Sequence, residues 1–250
     1  MPQRGASTRF HIVCSDQPRN GKTLVARLLC DYLILAGRAP LIFDAAPAPG
    51  GLRGYFPARA VKVELSSTAG QMAVFDRALA QNQDCVLDLP AHLLNDVVDL
   101  MRHIGFGETA TTPGVEVVVL FVADRHVDSL LAGRKLRGLL RPQRFIFVRN
   151  EAIVLADADR LAKFLQDGLG REGRLTIPRL DDAALAAVED RMFSFKRFVE
   201  DLPKRPPGMV LHIREAIEDL LGSVFHQFEA LGLGDDGNPR VTAIAARPSG

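Results

Sequence analysis

Three features of the sequence predict an α/β fold: a doubly wound, mostly parallel sheet with helices on both faces. Short apolar runs alternate with longer segments of helical periodicity along most of the chain. Most of those runs are apolar on both faces, as strands buried between two helical layers must be. The first run, Phe10 to Cys14, leads through a polar loop, Ser15 to Asn20, into Gly21-Lys22-Thr23, which opens an apolar-periodic helix (Leu24, Leu28, Cys30, Leu35). In that layout backbone N–H groups and a helix N-terminus face an anion, as in a phosphate-binding loop.

The remaining elements follow in order. Gly37-Arg38-Ala39-Pro40 turns the chain into a second strand, Leu41 to Phe43, ending at Asp44. The Pro- and Gly-rich stretch from Ala45 to Pro57 reads as loop. Val61 to Leu65 alternates apolar and charged residues and suits an edge strand, and Thr68 is placed to cap a helix over Gln71 to Gln81. Cys85 to Leu89 is a buried strand carrying Asp88 near its end, before Pro90, and His92 to Ile104 is amphipathic. Val115 to Ala123 is the most β-branched run in the chain. A helix over Asp124 to Leu140 and a strand over Phe145 to Val148, ending at Asn150, come next. The periodicity then predicts a helix over Asp157 to Leu169, a short strand Leu175 to Ile177 stopped by Pro178, and helices over Ala183 to Val199 and Met209 to Leu231, divided by Pro203 to Pro207.

At 250 residues with 47% hydrophobic content, the chain can fill one full-sized core. A single nucleotide-binding domain over 1–232 and a poorly ordered Gly/Pro-rich tail over 233–250 are expected. A net charge of +1 leaves nucleic-acid or lipid binding to local patches. Cys14, Cys30 and Cys85 lie in apolar runs and cannot pair completely, which suits reduced core thiols in a cytoplasmic protein. No segment offers about 18 uninterrupted apolar residues, so no membrane span is predicted, and the start of the chain has no apolar signal-peptide centre.

In parallel sheets ligands bind beyond the carboxyl ends of the strands, so Ser15, Asp44, Asp88, Ala123, Asn150 and Pro178 are the residues to inspect. Lys22, on the first turn of its helix, can reach β- and γ-phosphates as a point charge, and the Thr23 hydroxyl can take a site on magnesium. The alternative is a surface Gly-Lys-Thr opening an ordinary helix. Asp88 can orient a magnesium-bound water, or merely cap the next helix. Asp44 can polarise the attacking water or hold magnesium through water, or else satisfy neighbouring backbone N–H groups.

At these residues the chain resembles the ParA/MinD-like (SIMIBI-class) P-loop ATPases over roughly Phe10 to Val199. Their phosphate loop reads Lys-Gly-Gly-x-Gly-Lys-Thr, matched at Gly21 to Thr23. Their Asp-x-Asp-Pro is matched by Asp44, Ala45, Ala46 and Pro47 with the second acid missing. Their Asp-x-Pro is reproduced by Asp88-Leu89-Pro90, and Asn150 and Ile177-Pro178 fall where the family reads adenine. The resemblance implies ATP and Mg2+ as cofactors. It implies nucleotide contacts from Gln17, Pro18, Asn20, Gly21, Lys22, Thr23, Leu24, Asn150 and Pro178, metal contacts from Thr23 and Asp88, catalytic roles for Lys22 and Asp44, and a dimer around two ATP molecules. The departures are as informative. The family's signature lysine, which reaches phosphate across the dimer, falls on Gln17, and its two glycines fall on Pro18 and Arg19. Proline removes a backbone donor, and arginine resists positive φ. Arg19 returns a positive charge beside the lost one and is the candidate replacement for the signature lysine; a solvated loop charge is the alternative.

Two surfaces stand out besides. Arg125, Arg134, Lys135, Arg137, Arg141 and Arg144 form a basic cluster that could meet DNA phosphates or simply be a solvated helix face. Phe193, Phe195 and Phe198 read as core rather than docking residues. His92, His103, His126 and His212 lack metal-ligand spacing. The leading expectation is an ATP-binding, ATP-hydrolysing dimeric switch whose nucleotide state controls binding to a protein partner or DNA. A non-catalytic nucleotide-binding or scaffold protein is the alternative, and a small-molecule kinase or ligase on the same sheet is a third reading.

Overall fold

A computed structural model describes residues 8–46, 51–81, 83–108, 111–153, 173–189, 194–195, 197 and 211–234. Seven strands form one parallel sheet: β1 (Thr8–Cys14), β2 (Leu41–Asp44), β3 (Ala60–Lys62), β4 (Cys85–Asp88), β5 (Val115–Val122), β6 (Arg144–Asn150) and β7 (Gly173–Ile177). Their spatial order is β3-β2-β4-β1-β5-β6-β7, every neighbouring pair parallel. From β1 the chain runs to β2 and β3 on one side, returns to β4 beside β1, and then continues to β5, β6 and β7 on the other side, so the direction changes beside β1. That is where a doubly wound sheet opens its crevice.

The pleat divides the core into two layers. On one face Val13 joins Leu28, Leu29 and Tyr32 of α1 (Lys22–Leu35) and Val224, Phe225 and Phe228 of α7 (Leu211–Ala230). The Tyr32 ring lies 5.6 Å from Phe225 and 5.2 Å from Phe228. On the other face Phe10, Ile12 and Cys14 join Phe43, Phe75, Phe106, Phe121 and Phe145, packed under α3 (Thr68–Gln81), α4 (Leu94–His103) and α5 (Val127–Leu140). Each such fully buried ring contributes on the order of 2 kcal/mol, which is why strands apolar on both faces are stable only here. All three cysteines are buried and unpaired.

Local signals explain the helix boundaries. α1 ends in a Schellman motif: Gly37 takes φ 83°, its N–H donates to the Ile34 carbonyl at 3.1 Å, and the Arg38 N–H donates to that of Leu33 at 2.9 Å. α3 begins at Thr68, and the cap is Ser67, whose Oγ accepts the Gly70 N–H at 3.2 Å. The cap thus sits one residue before the expected Thr68. The expected loop over Ala45 to Pro57 contains a helical turn, α2 (Leu52–Tyr55), anchored by the fully buried Leu52. The edge strand β3 is shorter than expected, and residues Asp124 to His126 precede α5 instead of belonging to it. α6 (Asp182–Glu189) is followed by a break: Ser194 is not helical, and its Oγ accepts the Arg197 N–H at 3.1 Å. The expected continuous helix to Val199 is therefore interrupted at a serine that caps a new turn. The expected helix Asp157 to Leu169, the breaker Pro203 to Pro207 and residues 235–250 of the tail expected over 233–250 lie outside the described residues, whereas Leu233 at the start of that tail is fully buried in the core.

Candidate nucleotide site

The loop after β1 closes a ring of hydrogen bonds at the switch point. Gly21 caps α1 with φ 93°, and Arg19 also takes the left-handed region at φ 59°. A Cβ at Gly21 would come within 2.6 Å of Asn150 Nδ2, so strand β6 and the loop approach each other only because this residue is glycine. Arg19 adopts the conformation that glycine usually supplies in such a loop, at a cost of about 1 kcal/mol.

Asn20 braces this loop from beneath. Its Nδ2 donates to the Val122 carbonyl at 2.9 Å and to Ser15 Oγ, and its Oδ1 accepts from Lys22 Nζ at 3.2 Å. The buried amide thereby ties the loop to β5. The Lys22 ammonium also donates to the Gln17 carbonyl at 2.7 Å, and burial lowers its pKa against the opposing pull of Asp88. Asn150 Nδ2 donates to the Asn20 carbonyl at 3.2 Å, and its Oδ1 accepts from the Ala152 N–H at 3.1 Å.

Asp88 ends β4 beside the first turn of α1, and Thr23 Oγ1 donates to its Oδ2 at 2.6 Å. Burial pushes the Asp88 carboxyl up to about 6; the Thr23 hydrogen bond and the Lys22 charge pull the other way, and Asp44 adds repulsion. Asp44 is the register partner of Asp88 on the neighbouring strand. Its two oxygens accept the N–H groups of Ala46 at 3.0 Å and Arg53 at 2.9 Å, so the carboxylate holds the following loop and the start of α2.

These parts border an open cleft of about 1020 Å³. Asp16, Pro18, Arg19, Gly21, Lys22 and Thr23 line its centre, Pro90, Ala91 and His92 its β4 side, and Asn150, Ala152, Pro178, Leu180 and Leu185 its β6–β7 side. Leu24, Arg27 and Tyr55 complete the wall. Of the residues singled out from sequence, Pro18, Arg19, Gly21, Lys22, Thr23, Leu24, Asn150 and Pro178 come together here. Asp88 and Asn20 stand just behind them, while Gln17 is exposed and Asp44 turns to its own loop.

Several residues of the cleft were not singled out from sequence. Arg27 lies one turn beyond Thr23 on α1, with its guanidinium 3.6 Å from the Tyr55 ring centre and 4.7 Å from that of Phe195. Its i+4 spacing from Thr23 is a signal that could have found it. Asp16 accepts a hydrogen bond from Ser129 Oγ in the first turn of α5, a contact between residues far apart in sequence that no local pattern announces. Phe195 is fully buried, as expected of a core residue, whereas Phe193 and Phe198 lie outside the described residues. In the basic cluster, Arg144 is spoken for: it faces Glu116 at 3.7 Å and donates to the Gly232 carbonyl at 3.0 Å. Arg125, Arg134, Lys135, Arg137 and Arg141 are exposed.

The donor set fits a magnesium nucleotide. Lys22 stands beside the loop with left-handed Arg19 and Gly21, and a buried carboxylate with a raised pKa sits against a threonine hydroxyl, both hard oxygens suited to Mg2+. No protein-family model and no curated protein sequence is similar to this chain. Solved structures are. The MinD cell division protein of Aquifex aeolicus matches 86% of this chain and 98% of its own at 18% identity, with a TM-score of 0.50. The same organism's MinC:MinD complex matches at 16% identity, covering 86% of this chain and 96% of that one, TM-score 0.42. Chloroplast FtsY from Physcomitrella patens matches at 15% identity and TM-score 0.49, over 72% of this chain; the chain spans 62% of that protein's length. The fold is therefore that of the MinD cell division protein. No helix among the described residues is long and apolar enough to cross a membrane.

Proposed function

We propose that this protein binds Mg-ATP in the cleft and hydrolyses it as a dimeric switch of the ParA/MinD type, its nucleotide state governing association with a protein partner or DNA. The observation that carries the reading is the Thr23–Asp88 hydrogen bond beside Lys22, at the mouth of a loop with left-handed Arg19 and Gly21. The loop amides and Lys22 would hold the β- and γ-phosphates, and Leu24, Asn150 and Pro178 the nucleoside. Thr23 would hold magnesium directly and Asp88 would hold it through water; the ion supplies neutralisation of phosphate charge. Arg19 takes the part of the missing signature lysine, and Asp44 orders water once nucleotide displaces it from its loop.

Calorimetric titration of Mg-ATP into the parent and Lys22→Ala proteins, with turnover and mass followed alongside, tests this. The parent is expected to bind and to double its mass. The variant is expected to lose roughly 10–100-fold in affinity, the worth of charge-assisted hydrogen bonds. No binding by the parent sinks the switch.

A second reading has its own support. With both oxygens of Asp44 engaged by Ala46 and Arg53, and Pro18 lacking a donor, the site suits a nucleotide-binding module without turnover. Binding with no hydrolysis above background would select it.

A further inference from the structure

Among the titratable side chains that line the cleft, Asp16 is held by Ser129 and Arg27 packs on Tyr55, while His92 is left without a role by the reading above. It sits in the 3-10 turn Ala91–Leu93, directly after Asp88-Leu89-Pro90. Its side chain lines the cleft together with Lys22, Thr23 and Arg19, and the residue is exposed. The sheet order says which end of a bound nucleotide it meets. Asn150, Ala152, Pro178, Leu180 and Leu185 follow β6 and β7 on one side of the phosphate loop and form a largely apolar wall suited to a base. β4 lies on the other side of β1, and from it come Asp88, bonded to Thr23, and then His92. A nucleotide with its base on the β6–β7 side and its phosphates on Lys22 runs its terminal phosphate towards β4, and so towards the imidazole.

An imidazole there has a suitable chemistry. A ring nitrogen accepts a hydrogen bond from water, which the Pro90 and Ala91 side chains cannot do. We propose that His92 is a catalytic residue that orients the attacking water at the γ-phosphate. In that step the water oxygen bonds to the γ-phosphorus as the bridging P–O bond to the β-phosphate breaks. The bond's electron pair leaves on ADP, and the water, hydrogen-bonded to the imidazole, passes one proton to a γ-phosphate oxygen as inorganic phosphate forms. The inference rests on the ATP-hydrolysing reading and adds, on the β4 side of the cleft, a second group that positions the water beside the Asp44 of that reading.

The test uses the full chain with His92→Ala and His92→Gln. Calorimetry with Mg-ATP is expected to give the parent affinity within about twofold for both, because the imidazole meets the water and not the bound triphosphate. Turnover is expected to fall about 100-fold in His92→Ala, the scale of a positioned acid–base group, and by less in His92→Gln, whose amide also accepts a hydrogen bond from water. Mg-ADP with fluoroaluminate, which mimics the planar phosphoryl group and its in-line water, should bind His92→Ala at least about tenfold more weakly than the parent, while Mg-ADP with beryllium fluoride, a ground-state mimic, binds both alike. Equal turnover in His92→Ala and the parent overturns the proposal and leaves the ATPase reading standing. A proportional loss of Mg-ATP affinity and turnover also overturns it, marking His92 as a binding or structural residue. A parent that binds Mg-ATP without hydrolysing it removes the proposal in favour of the binding module, and a parent that binds none removes the switch itself.

Discussion

The Thr23 hydroxyl and the Asp88 carboxylate meet at 2.6 Å across the gap between the first turn of α1 and the end of β4. The contact brings a buried acid, raised to about 6 by desolvation, against a side chain whose own helix begins in the phosphate loop. A carboxyl raised from its ordinary value makes folding most favourable while it is protonated. That stabilisation is complete below about pH 4 and is lost as pH rises through about 6. The two-unit difference corresponds to about 2–3 kcal/mol. Asp88→Asn is therefore expected to raise the melting temperature at pH 7 and to flatten the fall in stability between pH 4 and 6. The same variant should lose Mg-ATP affinity. In the parent, that affinity should climb with pH through about 6, because magnesium favours the ionised acid. Thermal melts and calorimetry at several pH values check both halves. A melting temperature for Asp88→Asn that tracks the parent's across this range would exclude the burial argument.

Asn20 offers a prediction about the loop rather than the metal. Its buried amide joins Ser15, Val122 and Lys22, spanning 102 residues in the contact to Val122. Asn20→Ala leaves the Val122 carbonyl without its side-chain donor and the Lys22 ammonium with one acceptor fewer, costing about 1–3 kcal/mol. Hydrogen exchange of the loop amides should quicken together with the loss of stability. Unchanged exchange would mean that the loop holds its shape without this brace.

The difference between what the sequence disclosed and what it concealed follows the range of the interactions. Val115 to Ala123 could be read as a strand because burial on both faces demands an unbroken β-branched run, and Gly21-Lys22-Thr23 as a helix start because its meaning is local. Asp88 and Asn150 could be placed at strand ends for the same reason, and with Lys22 they come together at the candidate cleft. For Asp44 the sequence left two roles open, water or metal and neighbouring backbone N–H groups; the second is the one seen here, and the choice depended on where α2 turns. α2 itself escaped notice, since four residues carry too little periodicity and a side chain from another element holds its first turn. The Ser129–Asp16 and Asn20–Val122 contacts join elements that become neighbours only after the sheet has formed.

Gly51 provides a test of that hidden arrangement. Its backbone, at φ −81° and ψ 178°, is open to any residue, yet a Cβ there would collide with the Asp44 carboxylate. Gly51→Ala is thus a steric challenge to the Asp44 cap and not to the backbone. It should destabilise the protein by about 1–3 kcal/mol, the range for overpacking a buried site, and the loss should shrink in a background where Asp44 is already alanine. Double-mutant thermodynamics measure that coupling. Additive effects would mean that Gly51 and Asp44 do not meet.

Arg19 stands where two independent terms can be separated. Its φ of 59° costs about 1 kcal/mol relative to an ordinary backbone, while glycine at the same position costs a comparable amount in lost chain entropy. Arg19→Gly should therefore change stability by less than about 1 kcal/mol, and Arg19→Ala should retain the strain without the charge. If Arg19 supplies the positive charge that the family draws from its signature lysine, both variants lose ATP turnover by roughly 10³-fold, within the range of an arginine that stabilises a transferring phosphoryl group. Arg19→Lys, which keeps the charge on a flexible stem, should recover part of the loss, and since the guanidinium is exposed at the cleft, Mg-ATP affinity should move far less than turnover. Steady-state turnover beside calorimetric affinity for the four proteins gives the answer. Parent-like turnover in Arg19→Ala would reduce Arg19 to a solvated loop charge, leaving Lys22 as the cation that meets the phosphates.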